Sequence, residues 1–247
     1  MKTLFKSTLN YLEKIYHFSS FRGHSFWNIP IDSNSVVVDL GANLCDFSSE
    51  VKKRFECTVF PVEPNATLNP NDSYFLDSVD RLAITNCNGE VDFTISENSE
   101  ASSLYSNLAN LFGSTKTIKV RGMSLNEYLK LKEIEGSLSL LKVDIEGGEI
   151  DLLSKIPLKE LELIDQMTVE FHSFLDPSLE LEVIAIIDRI SKSGFWVINC
   201  NHPYYDDVLF FNKKLFKKYH FKCLDIFIMK IVYIIRGKMH KLIGTHK

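Results

Sequence analysis

No apolar run in this sequence is long enough to cross a bilayer. The longest candidate, residues 226–235, falls well short of the ~20 residues a spanning helix needs, and Lys230 interrupts it. The first ten residues contain no continuous apolar core of the kind a secretory signal carries, so secretion is not expected. The five cysteines (Cys45, Cys57, Cys87, Cys200 and Cys223) are odd in number, widely spaced and contain no C-x-x-C pair. That argues against a disulfide framework or a structural zinc site, and for a reducing compartment. There is no internal repeat. A formal net charge of −4 argues against a general nucleic-acid binder. The expected location is the cytoplasm.

What remains is an ordinary globular composition. Hydrophobic residues make up 45% of the 247 and charged residues 24%, enough to build a substantial core. The charge is unevenly spread. Residues 213–247 hold ten Lys/Arg and one acid, Asp225, so this end carries +9 in a chain that is acidic overall. Such asymmetry points to a basic tail that meets something anionic.

Residues 36–43, Val-Val-Val-Asp-Leu-Gly-Ala-Asn, form the strongest local pattern. Three β-branched residues run into Asp39 and a glycine turn at Gly41, the signature of a buried strand that ends at a ligand crevice. Phe47, Val51 and Phe55 then fall on one face of a helix. A second strand, 58–62, ends at Glu63-Pro64-Asn65. Short strands are predicted at 81–85, 90–95 and 118–120, with a mobile polar loop at 96–115. Ser124 and Glu127 frame a capping box that buries Leu125, Tyr128 and Leu129. Residues 138–144 and 166–172 read as two further strands. A helix after Asp176-Pro177 is assigned a face of Leu181, Ile184, Ile187 and Ile190, and Gly194 ends it. Residues 195–198 and 208–211 read as an antiparallel closing pair. This order predicts a doubly wound, mostly parallel α/β sheet with a closing hairpin over residues 32–214. Residues 1–31 read as a helical cap and linker, and 215–247 as a basic amphipathic helix.

Two cofactors compete for a strand–glycine–helix turn followed by an acid at the end of the next strand. A dinucleotide requires G-x-G-x-x-G so that its pyrophosphate can approach the backbone. Here the turn is Gly41-Ala42-Asn43-Leu44-Cys45-Asp46, with Asn43 at the second glycine and Asp46 where phosphate would lie. S-adenosylmethionine carries a sulfonium and an ammonium and no phosphate, so acids suit it. On this reading Asp39 serves the methionine end, Gly41, Ala42 and Asn43 the close approach, and Glu63 with Asn65 the ribose. A purely structural turn in another α/β fold is the competing interpretation.

Several blocks together resemble the FkbM-family methyltransferases: residues 38–43 (Val-Asp-Leu-Gly-Ala-Asn), 62–65 (Val-Glu-Pro-Asn), 102–104 (Ser-Ser-Leu), 141–149 (Leu-Lys-Val-Asp-Ile-Glu-Gly-Gly-Glu) and 169–172 (Val-Glu-Phe-His). The resemblance covers about residues 32–214. It implies a class I methyltransferase (Rossmann-like) fold and S-adenosylmethionine-dependent O-methylation of a hydroxyl on a sugar, glycan or related natural product. Two departures stand out. Cys45 replaces a glycine of the family turn, where a side chain threatens to crowd the methionine moiety. The stretch between Asn65 and Arg81 is short, so adenine contacts there do not carry over.

A hydroxyl acceptor needs a general base. Asp144 and Glu146 stand two apart, as do Glu170 and His172, so each pair shares one side if its strand continues. Neighbouring strands would gather the four at the acceptor, and crowding should raise one carboxylate pKa. These four are the candidate catalytic residues. Asp/Glu/His clusters also bind divalent metals, although no metal is assigned. The expected partner is a small-molecule or glycan acceptor, not nucleic acid. The tail either lies on an anionic membrane surface or packs on the domain or a second subunit. A non-catalytic binding or membrane-associated module on the same fold is the alternative function.

Overall fold

The computed structural model describes residues 11, 14–15, 17–96, 102–103, 115–201, 204–219, 224–228 and 230–232. The expected N-terminal helix lies mostly outside these, as do most of the 96–115 loop and the end of the tail.

The first described strands are a surprise relative to the linker expected there. β1 (Phe18–Phe21) and β2 (His24–Trp27) form an antiparallel hairpin. Its two-residue turn, Arg22-Gly23, has positive φ at both positions (51° and 88°). That backbone twist matches the strands it joins, as in a type I′ turn. The hairpin docks through side chains. Ser25 donates its backbone N–H and its hydroxyl to the two Asp207 oxygens at 2.9 and 2.6 Å. Trp27 and Gln166 exchange a backbone–amide pair at 2.9 and 2.8 Å.

The chain continues through β3 (Val36–Leu40), α1 (Asp46–Phe55), β4 (Thr58–Val62), β5 (Leu82–Ile84), β6 (Gly89–Ser96), β7 (Thr115–Met123) and α2 (Leu125–Leu131). Then follow β8 (Leu140–Val143), α3 (Gly148–Lys155), α4 (Leu158–Leu161), β9 (Gln166–Val169), α5 (Glu180–Lys192), β10 (Phe195–Asn199), β11 (Val208–Asn212) and α6 (Lys214–Tyr219). Six strands form the main sheet in the order β10-β11-β9-β8-β3-β4. The four from β4 to β9 run parallel, whereas β11 is antiparallel to both its neighbours, so the sheet is mixed. A smaller sheet, β5-β7-β6, stands beside β4 and is linked to it by a parallel bridge between Val62 and Asp80.

Alternation along the central strands divides the core between two faces. Val38, Leu40, Leu141 and Val143 pack under α2, α3 and α5. Val37 and Leu140 face Phe26 of the hairpin and Phe47 and Val51 of α1. Ser124 caps α2, its hydroxyl accepting from the Glu127 N–H at 3.3 Å, but the Ser124 N–H donates to Asn88 at 2.9 Å rather than to Glu127, so only half of the expected box forms. The face of α5 differs from the expected one. Val183, Ile186 and Ile190 are buried, while Leu181 and Ile184 are exposed. The expected residues recur every three positions, each step about 60° short of a full turn, so they spiral around the helix instead of sharing one face. Leu215 and Ile226 share a cluster with Phe18, Trp27, Leu209 and Phe211, so packing is continuous from the hairpin to the tail.

Two strands stop sooner than expected. β8 ends at Val143 and β9 at Val169, and His172 begins a 3-10 turn, His172–Phe174. The premise that Asp144 with Glu146, and Glu170 with His172, share a strand side therefore fails. Loops bring these residues together instead.

Candidate active site

A cavity of about 310 Å³ opens at the C-terminal ends of β3, β4, β8 and β9. One wall is the turn after β3. Gly41 and Ala42 both donate to the Val62 carbonyl at 3.0 Å, fixing the turn to the end of β4. Gly41 sits at φ +76°, and a Cβ there would lie 1.6 Å from the Asp144 carbonyl oxygen. Close approach to the chain after β8 thus explains this glycine, independently of any ligand.

Asn43 and Cys45 also take left-handed conformations, at φ 48° and 61°. The Cys45 side chain is fully buried among Ala42 and Phe75, beneath the turn and off the cavity wall. Its side chain thus points away from the cavity, and the cost of the residue is local backbone strain of ~1 kcal/mol. Burial, with Asp39 next, pushes its thiol pKa up to about 12, so it carries no thiolate at neutral pH.

Glu63 lies on the cavity wall with both oxygens held, Oε2 by the Asn43 N–H at 3.0 Å and Oε1 by the Asn65 N–H at 2.8 Å. Burial raises its pKa against those two bonds. Asn65 itself does not reach the cavity. Its side chain accepts from Thr67, and Arg81 clasps the loop by donating to the Asn65 and Leu68 carbonyls at 2.8 and 2.7 Å.

Asp39 is also behind the wall rather than in it. It is wholly buried, accepting from the Ser48 hydroxyl at 2.7 Å and pairing with Lys142 at 3.0 Å. Lys142 is buried too and bridges onward to Asp144 Oδ2 at 3.3 Å and the Gly41 carbonyl at 2.9 Å. Burial opposes its charge, but Asp39 and Asp144 overcome this and raise its pKa. Burial opposes the charge of Asp144 as well, but Lys142, the His24 hydrogen bond and His172 together drive its pKa well below the usual carboxylate range.

The far end of the cavity holds the expected acids and one unexpected imidazole. His24, from the first position of β2, points Nε2 at Asp144 Oδ2 (3.2 Å) and lies 3.8 Å from Glu170. Burial, working against the Asp144 bond, lowers its pKa. His24 is therefore neutral, and donation from Nε2 to Asp144 assigns its tautomer. Glu170 accepts no hydrogen bond among the described residues. Burial and then Asp144 push its pKa up to about 8.

His172 lies off the cavity wall. Its Nδ1 meets the buried Glu149 at 3.1 Å and its Nε2 meets Glu146 at 3.1 Å, with Asp144 at 3.9 Å. Burial disfavours the imidazolium, but these carboxylates win and raise its pKa well above the usual value. With its ring charged and both N–H groups engaged, His172 presents no lone pair in this arrangement, unlike the three other candidate catalytic residues, which line the cavity. Glu149 also accepts from the Ile145 and Gly147 N–H groups and so fixes the loop that carries Glu146. Glu146 does face the cavity, its pKa pushed up to about 8 by burial against the pull of His172. Ser102 lines the cavity, whereas Ser103 is buried and donates to the Glu146 carbonyl.

His24, Asp144 and Glu170 place donor atoms within 4.8 Å of one another, as do Asp144, Glu149 and His172. In both groups Asp144 is already neutralised by Lys142, 3.3 Å away, which would repel an added dication.

The methyltransferase FkbM domain family matches residues 39–197, well over half the chain. The chain belongs to the FkbM methyltransferase family. A search of curated proteins finds no match. Among solved structures, it is similar to the crystal structure of methyltransferase FkbM from Methylobacillus flagellatus KT at 2.20 Å resolution, with 13% identity and a TM-score of 0.43. That likeness covers 73% of this chain and 44% of the other. Membership makes this a methyltransferase fold family, whose chemistry requires a methyl donor.

The FkbM match begins at Asp39, so it omits the hairpin that supplies His24 and Arg22 to the cavity. Sequence reasoning missed both. The available signal was Arg22-Gly23 between two four-residue aromatic-rich segments, a hairpin pattern with an unusual first turn residue. It also passed over Lys142 and Glu149, although both stand in the quoted 141–149 block.

Proposed function

We propose that this chain binds S-adenosylmethionine along the β3–β4 side of the cavity and methylates a hydroxyl of a sugar, glycan or related small molecule at the β8–β9 side. The arrangement is read as that of a class I methyltransferase. The observation that carries this reading is Glu63. Both of its oxygens are aimed by backbone N–H groups, each keeps a free lone pair, and the carboxylate faces the cavity. Such a group fits a vicinal diol. Asp46 on the same wall fits a cationic ligand and would repel a pyrophosphate.

When bound, the cofactor supplies an electrophilic methyl group. The chain's own part is to bind, align and accept a proton. Glu170 is the group best suited to take the acceptor proton. It faces the cavity, accepts no hydrogen bond among the described residues, and its pKa of about 8 lies near working pH. Asp144 keeps its charge beside Lys142 and, with His24, holds Glu170's side of the cavity in place.

Calorimetry with S-adenosylmethionine and S-adenosylhomocysteine tests the cofactor assignment. Wild type is expected to bind both, and Glu63→Ala to lose roughly tenfold to a hundredfold, the worth of one or two hydrogen bonds to a charged group. Absence of binding by the wild type, or equal binding by the variant, overturns the assignment. An acceptor screen reading out S-adenosylhomocysteine then tests O-methylation.

A further inference from the structure

The last described helical stretch, residues 224–228 and 230–232, is apolar on two sides. Ile226 and Val232 are buried, Ile226 in the cluster with Phe18, Trp27 and Leu209. Leu224, Phe227 and Ile231 point outward, 61%, 60% and 41% exposed. Their spacing of three and then four residues places them in one stripe. Among the described residues, no helix is long and apolar enough to cross a membrane.

The sequence at this end of the chain is strongly basic. Residues 213–247 carry ten Lys/Arg against Asp225 alone. Lys213 and Lys230 set their ammonium groups over the same Trp196 ring, at 5.2 and 5.7 Å from its centre. Neither makes an ion pair among the described residues. Burial, then Lys213, holds the Lys230 pKa down, so an arriving anion would relieve a strained pair of like charges.

We propose that this face docks on an anionic lipid bilayer. Leu224, Phe227 and Ile231 enter the boundary between headgroups and acyl chains, and Lys213 and Lys230 meet lipid phosphates. An apolar stripe flanked by lysines is the pattern of a helix lying in the interface plane. A second copy of the chain fits less well. A two-fold interface would set this basic face against itself. The inference is independent of the cofactor assignment.

The test is co-sedimentation of the full chain with vesicles of mixed phosphatidylglycerol and phosphatidylcholine, beside vesicles of phosphatidylcholine alone. Wild type is expected to pellet with the anionic vesicles, to stay in solution with the neutral ones, and to be released by high salt. The triple variant Leu224→Ser, Phe227→Ser, Ile231→Ser should bind at least tenfold more weakly. Lys213→Gln with Lys230→Gln should weaken binding and flatten its salt dependence. Unchanged thermal midpoints show that both variants fold, since the changed apolar side chains are exposed. No pelleting by wild type, equal pelleting by the triple variant, or equal binding to neutral vesicles overturns the proposal. So does a dimer in sedimentation velocity that the triple variant abolishes, which would assign the stripe to a second copy.

Discussion

Gly41 and Asp144, 103 residues apart in the chain, approach so closely that a Cβ on the glycine would lie 1.6 Å from the Asp144 carbonyl oxygen. The turn after β3, on the proposed cofactor side, is thereby locked to the loop after β8, on the proposed acceptor side. Gly41→Ala must move one of them and must also hold a left-handed conformation at φ +76°. The expected loss is roughly 3 kcal/mol or more. For a chain of this size that lowers the thermal midpoint by roughly 6–12 °C. A scan of the variant showing a midpoint within about 2 °C of wild type would contradict this close packing.

Cys45→Gly tests the departure from the family turn. Glycine relieves the left-handed strain at φ 61° but gives up a buried side chain and frees the unfolded chain. These effects oppose one another, so stability should change by less than ~1 kcal/mol. Because the thiol packs on Ala42 and Phe75 beneath the turn, affinity for S-adenosylhomocysteine should stay within about threefold. A tenfold gain in calorimetry would place the side chain in the ligand's way after all.

Glu170 makes a prediction about pH. Its carboxyl has an ordinary pKa of 4.5 and is raised to about 8 in the fold, by burial first and Asp144 second. The folded chain therefore holds this proton more tightly than the unfolded chain. The associated stability is complete below 4.5 and is lost as pH rises through about 8. Glu170→Gln removes that loss. Its thermal midpoint should match wild type near pH 4.5 and exceed it increasingly towards pH 9. Glu146, raised in the same way, keeps part of the alkaline decline in the variant. Parallel midpoint–pH curves for the two proteins would refute a raised Glu170. The same substitution should abolish transfer to a hydroxyl acceptor while leaving cofactor affinity nearly unchanged.

Much of this protein was legible in its sequence because the signals are local. The run of valines before Asp39 marked a buried strand, Ser124 and Glu127 a helix cap, and Glu63 an acid at a strand end. The ordered blocks from Asp39 to His172 were enough to point to the FkbM family. Asp144, Glu146 and Glu170 do line one cavity, although loops rather than continuing strands bring them together.

Only the tertiary structure decided how the charges divide the work. Asp39 and His172 look like site residues in the sequence. Yet Lys142 draws the first into the core, and Glu149 with Glu146 turns the second into a buried cation. Those pairings join residues up to 103 positions apart, and no periodicity encodes them. His24 enters from a hairpin outside the family match, 120 residues from its partner Asp144. Sequence patterns report which residues share an element. Which proton each buried group keeps depends on the charges that folding places beside it.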